Sequence, residues 1–333
     1  MTIDSLFAPF AEPGKPGASI LVMQGDSIAI QKAYGLADVA AGIPATPESN
    51  FRLASLSKQF VATAILLLVG DGKLTLETPL TDILPAFPAY GRAIRVRHLL
   101  SHTSGVWDYE DFVPDTQTYQ VRDADVLKLL TTRTESTYFA PGSRYRYSNS
   151  GYVLLGQIVE HASAMRLADF LLERVFRPAS LTATIAFEDG VSTVERRAFG
   201  HTVIDDSVTR TDQSNTSATL GDGGVYSSTS DMARWIRALR HHTVLDSATF
   251  ARQTTPFVLA DGTASEYAFG WFVDVFRGHR RLRHHGETRG FTNSIQLFPD
   301  DGLSIVVLTN RTDSAPWDIV ETIATSIFTP GDR

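Results

Sequence analysis

Residues 51–60 read Phe51-Arg52-Leu53-Ala54-Ser55-Leu56-Ser57-Lys58-Gln59-Phe60. They open an apolar run that continues to Val69 and stops at Gly70-Asp71-Gly72, so the pattern predicts a helix over residues 54–69. Ser55 and Lys58 stand three residues apart and share one face of that helix. A serine hydroxyl is a weak nucleophile until a base takes its proton. A lysine neutralised by burial and nearby positive charge can be that base, and a helix start offers N–H groups to a developing oxyanion. Taken alone, the pair also fits a helix-start serine beside a solvated lysine. Lys58 is one of only five lysines among thirty basic residues, and the only one with serine three positions earlier. Arginine cannot be deprotonated for base work, so a lysine kept here favours the chemical reading.

Working outward, the 333 residues contain no cysteine, which removes thiol nucleophiles, disulfides and thiolate metal sites. The nine histidines are scattered, and neighbours such as His284-His285 point to opposite faces of a strand, a poor chelate. The reading calls for no metal and no other cofactor. The net charge of −7 disfavours nucleic acid as a partner. The Arg277–His285 run is expected to be a solvated strand face. No run approaches the roughly 20 apolar residues of a membrane span, and the first residues lack a secretory pattern, so a cytoplasmic protein is expected. The oligomeric state is not readable.

Ala18–Met23 and Ile28–Lys32 read as a hairpin, residues 3–11 as helical, and residues 267–276, 279–285, 291–298 and 303–309 as successive strands. Helices are expected at 123–132, 151–163, 166–176, 229–240 and 315–328. Strands at both ends with helices between predict an α/β (α+β) fold. One antiparallel sheet is built from residues 1–72 and 215–333, and residues 73–214 form a mostly helical insert.

Two further elements join Ser55 and Lys58. Tyr147-Ser148-Asn149 offers a phenol held by two cations that could carry protons, and an amide that could hold both Lys58 and a substrate carbonyl. It reads equally as a helix N-cap. His284-His285-Gly286-Glu287 lies on an expected strand, where Gly286 removes a side chain that would block a substrate at the edge and Glu287 offers a second oxyanion N–H.

These elements, in this order, resemble the serine β-lactamase and penicillin-binding-protein superfamily. Val96-Arg97-His98-Leu99-Leu100-Ser101-His102-Thr103-Ser104-Gly105, Pro141-Gly142, Tyr147 through Tyr152, Gly223 through Ser228 and Phe269-Gly270-Trp271 look like its class C β-lactamase-related branch. That branch also holds family VIII carboxylesterases, D-alanyl-D-alanine peptidases and D-aminopeptidases. The resemblance implies a β-lactamase/transpeptidase-like fold and an acyl-enzyme on Ser55. Lys58 and Tyr147 would share the proton traffic, and Asn149, His284, Gly286 and Glu287 would bind substrate. Trp107 and Tyr109, just after the His-Thr-Ser-Gly segment, read either as the lining of an acyl pocket, with Trp107 on the substrate side, or equally as core aromatics. Class C β-lactamases carry lysine where His284 stands, so a fixed cation for a β-lactam carboxylate is missing. Arg289 is expected to face solvent. A short-acyl ester is the expected small-molecule substrate, with D-amino-acid amides or peptides, or weak β-lactam hydrolysis, as alternatives. A non-catalytic acylated sensor ranks last.

Overall fold

A computed structural model describes residues 2–114, 116–132, 137–205 and 207–328. Six antiparallel strands form the main sheet: β1 (Ala18–Gln24), β2 (Ser27–Tyr34), β3 (Phe272–Phe276), β4 (His279–Thr288), β5 (Phe291–Phe298) and β6 (Leu303–Thr309). Their order is β3-β4-β5-β6-β1-β2. The two chain ends therefore meet where β1 pairs with β6, in a register running from Ala18 opposite Thr309 to Gln24 opposite Leu303. This is the expected sheet, and the fold is the β-lactamase/transpeptidase-like one.

The strands β1, β5 and β6 are covered on both faces; β1 and β6 accordingly read as nearly continuous apolar runs, whereas β5 buries Thr292, Asn293, Ser294 and Gln296 among its apolar residues. Side chains still alternate between two cores. Ile20, Val22, Ile305 and Val307 pack with Phe7, Phe10 and the helix Pro316–Ile327, while Leu21, Met23, Val306 and Leu308 face the larger core under the other helices. Among the described residues, no helix is long and apolar enough to cross a membrane.

Several expected elements change shape for local reasons. The 54–69 helix divides into a 3-10 turn, Ala54–Ser57, and helix α1, Lys58–Gly70. Residues 3–11 break into Ile3–Leu6 and a 3-10 turn, Ala8–Phe10, because Pro9 has no N–H to continue the ladder. The 166–176 helix passes from an α turn, Leu167–Leu171, into a π turn, Leu172–Phe176. Strand β3 begins only at Phe272. The basic run is only in part a solvated face: Arg277 is exposed, but the arginines further along, on β4, are not. Arg281 is buried and makes two hydrogen bonds to Asp274, at 2.7 and 2.9 Å, and one to Glu321, while Arg283 also bonds Asp274.

Candidate active site

Ser55 stands in the 54–57 turn, and the next residues start α1. In a 3-10 turn, residues three apart eclipse one another, which sets Lys58 Nζ 3.0 Å from Ser55 Oγ. Lys58 is fully buried and uses all three of its donors. The other two go to Asn149 Oδ1 at 2.9 Å and to the Asp222 carbonyl at 2.8 Å. Burial lowers the Lys58 pKa to about 8, against the pull of Asp222, Asp108 and Glu110. Among the described residues no positive neighbour of the kind expected from the sequence lowers it; burial does the work, and the charges acting on it are negative.

Asn149 opens helix α2 (Asn149–Ser163), with Ser148 as N-cap accepting from the Gly151 N–H. The N-cap reading and the substrate-side reading of this segment are thus compatible. In its charged form Lys58 only donates, which sets Asn149 Oδ1 toward it and turns Nδ2 to Glu110 Oε2 at 3.1 Å. The Asn149 backbone N–H is held by Asp108 Oδ2 at 2.7 Å. Tyr147, the preceding tyrosine, has its ring centroid 5.0 Å from Lys58 Nζ. Its hydroxyl is buried without a well-formed partner. Burial pushes the phenol pKa far up, with Ser55 pulling the other way. Among the described residues Lys58 is the cation at its ring, in place of the two cations expected, because His284 is neutral.

His284, on β4, is buried and its pKa is lowered to about 3 by burial, then by Lys58. Nδ1 donates to the His285 carbonyl at 2.6 Å, and Nε2 is 3.0 Å from the Tyr267 hydroxyl. Both ring nitrogens are occupied inside the protein. His285 points away, to Ser294 and Trp317. Residues 279–283 of β4 pair with β3, and beyond them the 54–57 turn packs against the strand. Gly286 lies in that contact. A Cβ there would stand 2.1 Å from the Leu53 carbonyl oxygen, so the packing of the turn is by itself enough to demand the glycine. Glu287 follows with its side chain in solvent, and Arg289 is also exposed.

Trp107 is half-buried, its ring 4.0 Å from Tyr138 and 6.1 Å from Phe112. Tyr109 is no pocket wall; it is fully buried, and its hydroxyl donates to Asp222 Oδ2 at 3.0 Å. Sequence reasoning missed Asp108, Glu110, Asp222 and Tyr267. The only signals were carboxylates one and three residues after Trp107 and an aspartate inside Gly221-Asp222-Gly223-Gly224.

The arrangement can move a proton from Ser55 to a lysine close to half-neutral near pH 8, beside a second buried hydroxyl. Comparison with known proteins identifies the family. The Beta-lactamase family matches residues 3–325. Penicillin-binding protein 4* of Bacillus subtilis (strain 168) is 30% identical over 95% of this chain and 73% of its own length. The D-aminopeptidase of Brucella ovis is 28% identical over 89% of this chain, which spans only 56% of that relative. Among solved structures, a penicillin-binding protein from Bacillus halodurans superposes with a TM-score of 0.81 at 28% identity, covering 97% of this chain and 99% of that one. The D-amino acid amidase from Ochrobactrum anthropi SV3 shares the fold, with a TM-score of 0.82 at 24% identity over 98% and 97% of the two chains. With the Ser55–Lys58 pair, Tyr147 and Asn149 assembled on this sheet and helix framework, the chain belongs to the β-lactamase family of serine hydrolases.

Proposed function

We propose that the protein hydrolyses amides of D-amino acids through an acyl-enzyme on Ser55. The observation that carries this reading is the charge beside the nucleophile. Glu110 is hydrogen-bonded to Asn149 and open to solvent, with Asp108 and Asp222 nearby, whereas His284 is held neutral. Such a wall favours a substrate ammonium over a substrate carboxylate. D-aminopeptidase activity, carried by a relative, needs a free amine; β-lactams and D-alanyl-D-alanine ends present a carboxylate.

In this reading Ser55 Oγ attacks the amide carbonyl as its proton passes to neutral Lys58. The Ser55 and Glu287 N–H groups receive the oxyanion. The C–N bond breaks as the leaving nitrogen takes a proton through Tyr147 and Lys58, and water then cleaves the Ser55 ester. Asn149 keeps one amide hydrogen for the substrate carbonyl. Ester hydrolysis is a second reading, favoured by the aromatic surface of Trp107 and Tyr138 next to Asp108.

One substrate panel tests both. D-alanine p-nitroanilide, its L enantiomer, p-nitrophenyl butyrate and a chromogenic cephalosporin are compared on wild type and Ser55→Ala. The proposal expects the D-anilide to give the highest kcat/KM and Ser55→Ala to abolish it. Preference for the butyrate establishes the esterase reading instead, and turnover surviving in Ser55→Ala overturns the mechanism.

A further inference from the structure

We infer that His102 is a positioning residue for Tyr147, holding the backbone on both sides of the tyrosine and the phenol ring between. The inference rests on the acyl-transfer reading of Ser55, Lys58 and Tyr147. His102 lies 45 residues before Tyr147 in the chain. Its carbonyl accepts the Arg146 N–H at 3.0 Å, and its ring Nδ1 accepts the Ser148 N–H at 3.1 Å. Tyr147 is thus bracketed by two hydrogen bonds to a single residue. Between them its ring lies on the imidazole, with centroids 4.1 Å apart and planes inclined by 32°. Tyr267 and Tyr152 close in on the same imidazole, at 4.5 and 5.0 Å.

Three properties of His102 go against local preference. Its φ is +57°, in the left-handed region that non-glycine residues rarely occupy. Because Nδ1 accepts from a backbone N–H, the ring proton must sit on Nε2, and Nε2 is buried with no hydrogen-bond partner among the described residues. Burial and the Lys58 charge keep the ring neutral, well below the ordinary histidine range. Strained backbone and an unsatisfied buried donor persist where the surrounding structure over-determines them, and such features gather at active sites. Here the beneficiary is a tyrosine whose hydroxyl has no well-formed hydrogen bond of its own, so its aim depends on ring and backbone contacts.

The test uses His102→Phe, which keeps a ring but no acceptor, and His102→Asn, which keeps an acceptor and tolerates positive φ but has no ring. Each is assayed alone and with Tyr147→Phe, on whichever of D-alanine p-nitroanilide and p-nitrophenyl butyrate turns over. Both single variants are expected to lose on the order of 100-fold in kcat with KM within about threefold, since a misplaced catalytic group costs that much. Combined with Tyr147→Phe, neither should lose further, because both changes disable one unit. A folding contribution alone would lower thermal stability without this non-additivity. Near-wild-type kcat in a folded variant, or losses that multiply in the double variant, overturns the inference. If His102→Phe fails to fold, the same two criteria apply to His102→Asn. Full activity in Tyr147→Phe instead refutes the proton-carrier role on which the inference stands.

Discussion

Gly286 and Leu53 are in backbone contact across the active-site seam: a Cβ on Gly286 would stand 2.1 Å from the Leu53 carbonyl oxygen. Neither partner can rotate away, because the obstacle is main chain on the turn that carries Ser55. Gly286→Ala must therefore push β4 off the 54–57 turn. The expected cost is toward the upper end of the ~1–3 kcal/mol typical of overpacking. A shift of about 1 Å in the reacting groups costs about 100-fold in rate. Thermal unfolding and kcat/KM together check this; wild-type values in both would show that the contact is not needed.

The Lys58 pKa of about 8 sets the direction of the pH dependence. In the proposed mechanism the neutral amine takes the Ser55 proton, so acylation should rise with pH as Lys58 loses its charge. About a tenth of the molecules are competent at pH 7 and about half at pH 8, by the ordinary titration relation. The acid limb of kcat/KM should therefore bend near pH 8. His284→Lys places a second positive charge beside Lys58 and should move that limb to lower pH. Lys58→Arg should abolish turnover at every pH. A flat profile from pH 6 to 9 would remove Lys58 from the base role.

The legible part of the site is local or repeated in type. Ser55 and Lys58 stand three residues apart, and Tyr147 and Asn149 two apart, so spacing alone brings each pair into one neighbourhood. The sheet was legible because alternation and turns mark each strand by itself. What stayed hidden depends on contacts distant in the chain. Asp222 reaches Lys58 across 164 residues, and Asp108 reaches the Asn149 N–H across 41. The charge state of His284 depends on burial and on Lys58, with Tyr267 occupying Nε2, which no neighbouring residue reveals. The Arg277–His285 run reads as solvated for the same reason, since Asp274 and Glu321 neutralise Arg281 and Arg283 only after β3, β4 and the last helix have packed.

That neutralisation can be tested by stability. Arg281 keeps only 8% of its side chain exposed and holds Asp274 at 2.7 Å. Asp274→Ala leaves a buried guanidinium with Glu321 as its remaining carboxylate, and should cost about 2–4 kcal/mol in chemical denaturation. The native state keeps Asp274 charged to lower pH than the unfolded chain, where its value is near 3.8. Its stabilisation is complete above that value and is lost as pH falls through the lower native pKa. Wild type should lose stability on acidification below pH 4 more steeply than Asp274→Ala. Parallel curves would show that the pair contributes little.

Glu110 separates the amidase reading from the esterase reading at a single side chain. Its carboxylate lies 3.1 Å from Asn149 Nδ2 and is open to solvent, with no cation bonded to it among the described residues. An ammonium on the substrate would supply that cation. Glu110→Gln keeps the size and an acceptor for Asn149 and removes only the charge. The loss of one charge-assisted hydrogen bond at a partly exposed position is about 1–2 kcal/mol, or roughly tenfold. KM for D-alanine p-nitroanilide should therefore rise about tenfold, while kcat/KM for p-nitrophenyl butyrate, which has no amine, stays within about twofold. N-acetylation of the D-anilide removes the same interaction from the other side, so acetylated substrate should no longer distinguish wild type from Glu110→Gln. Equal losses on the anilide and the ester would mean that Glu110 acts only through Asn149, and the charge argument for amine-bearing substrates would fall.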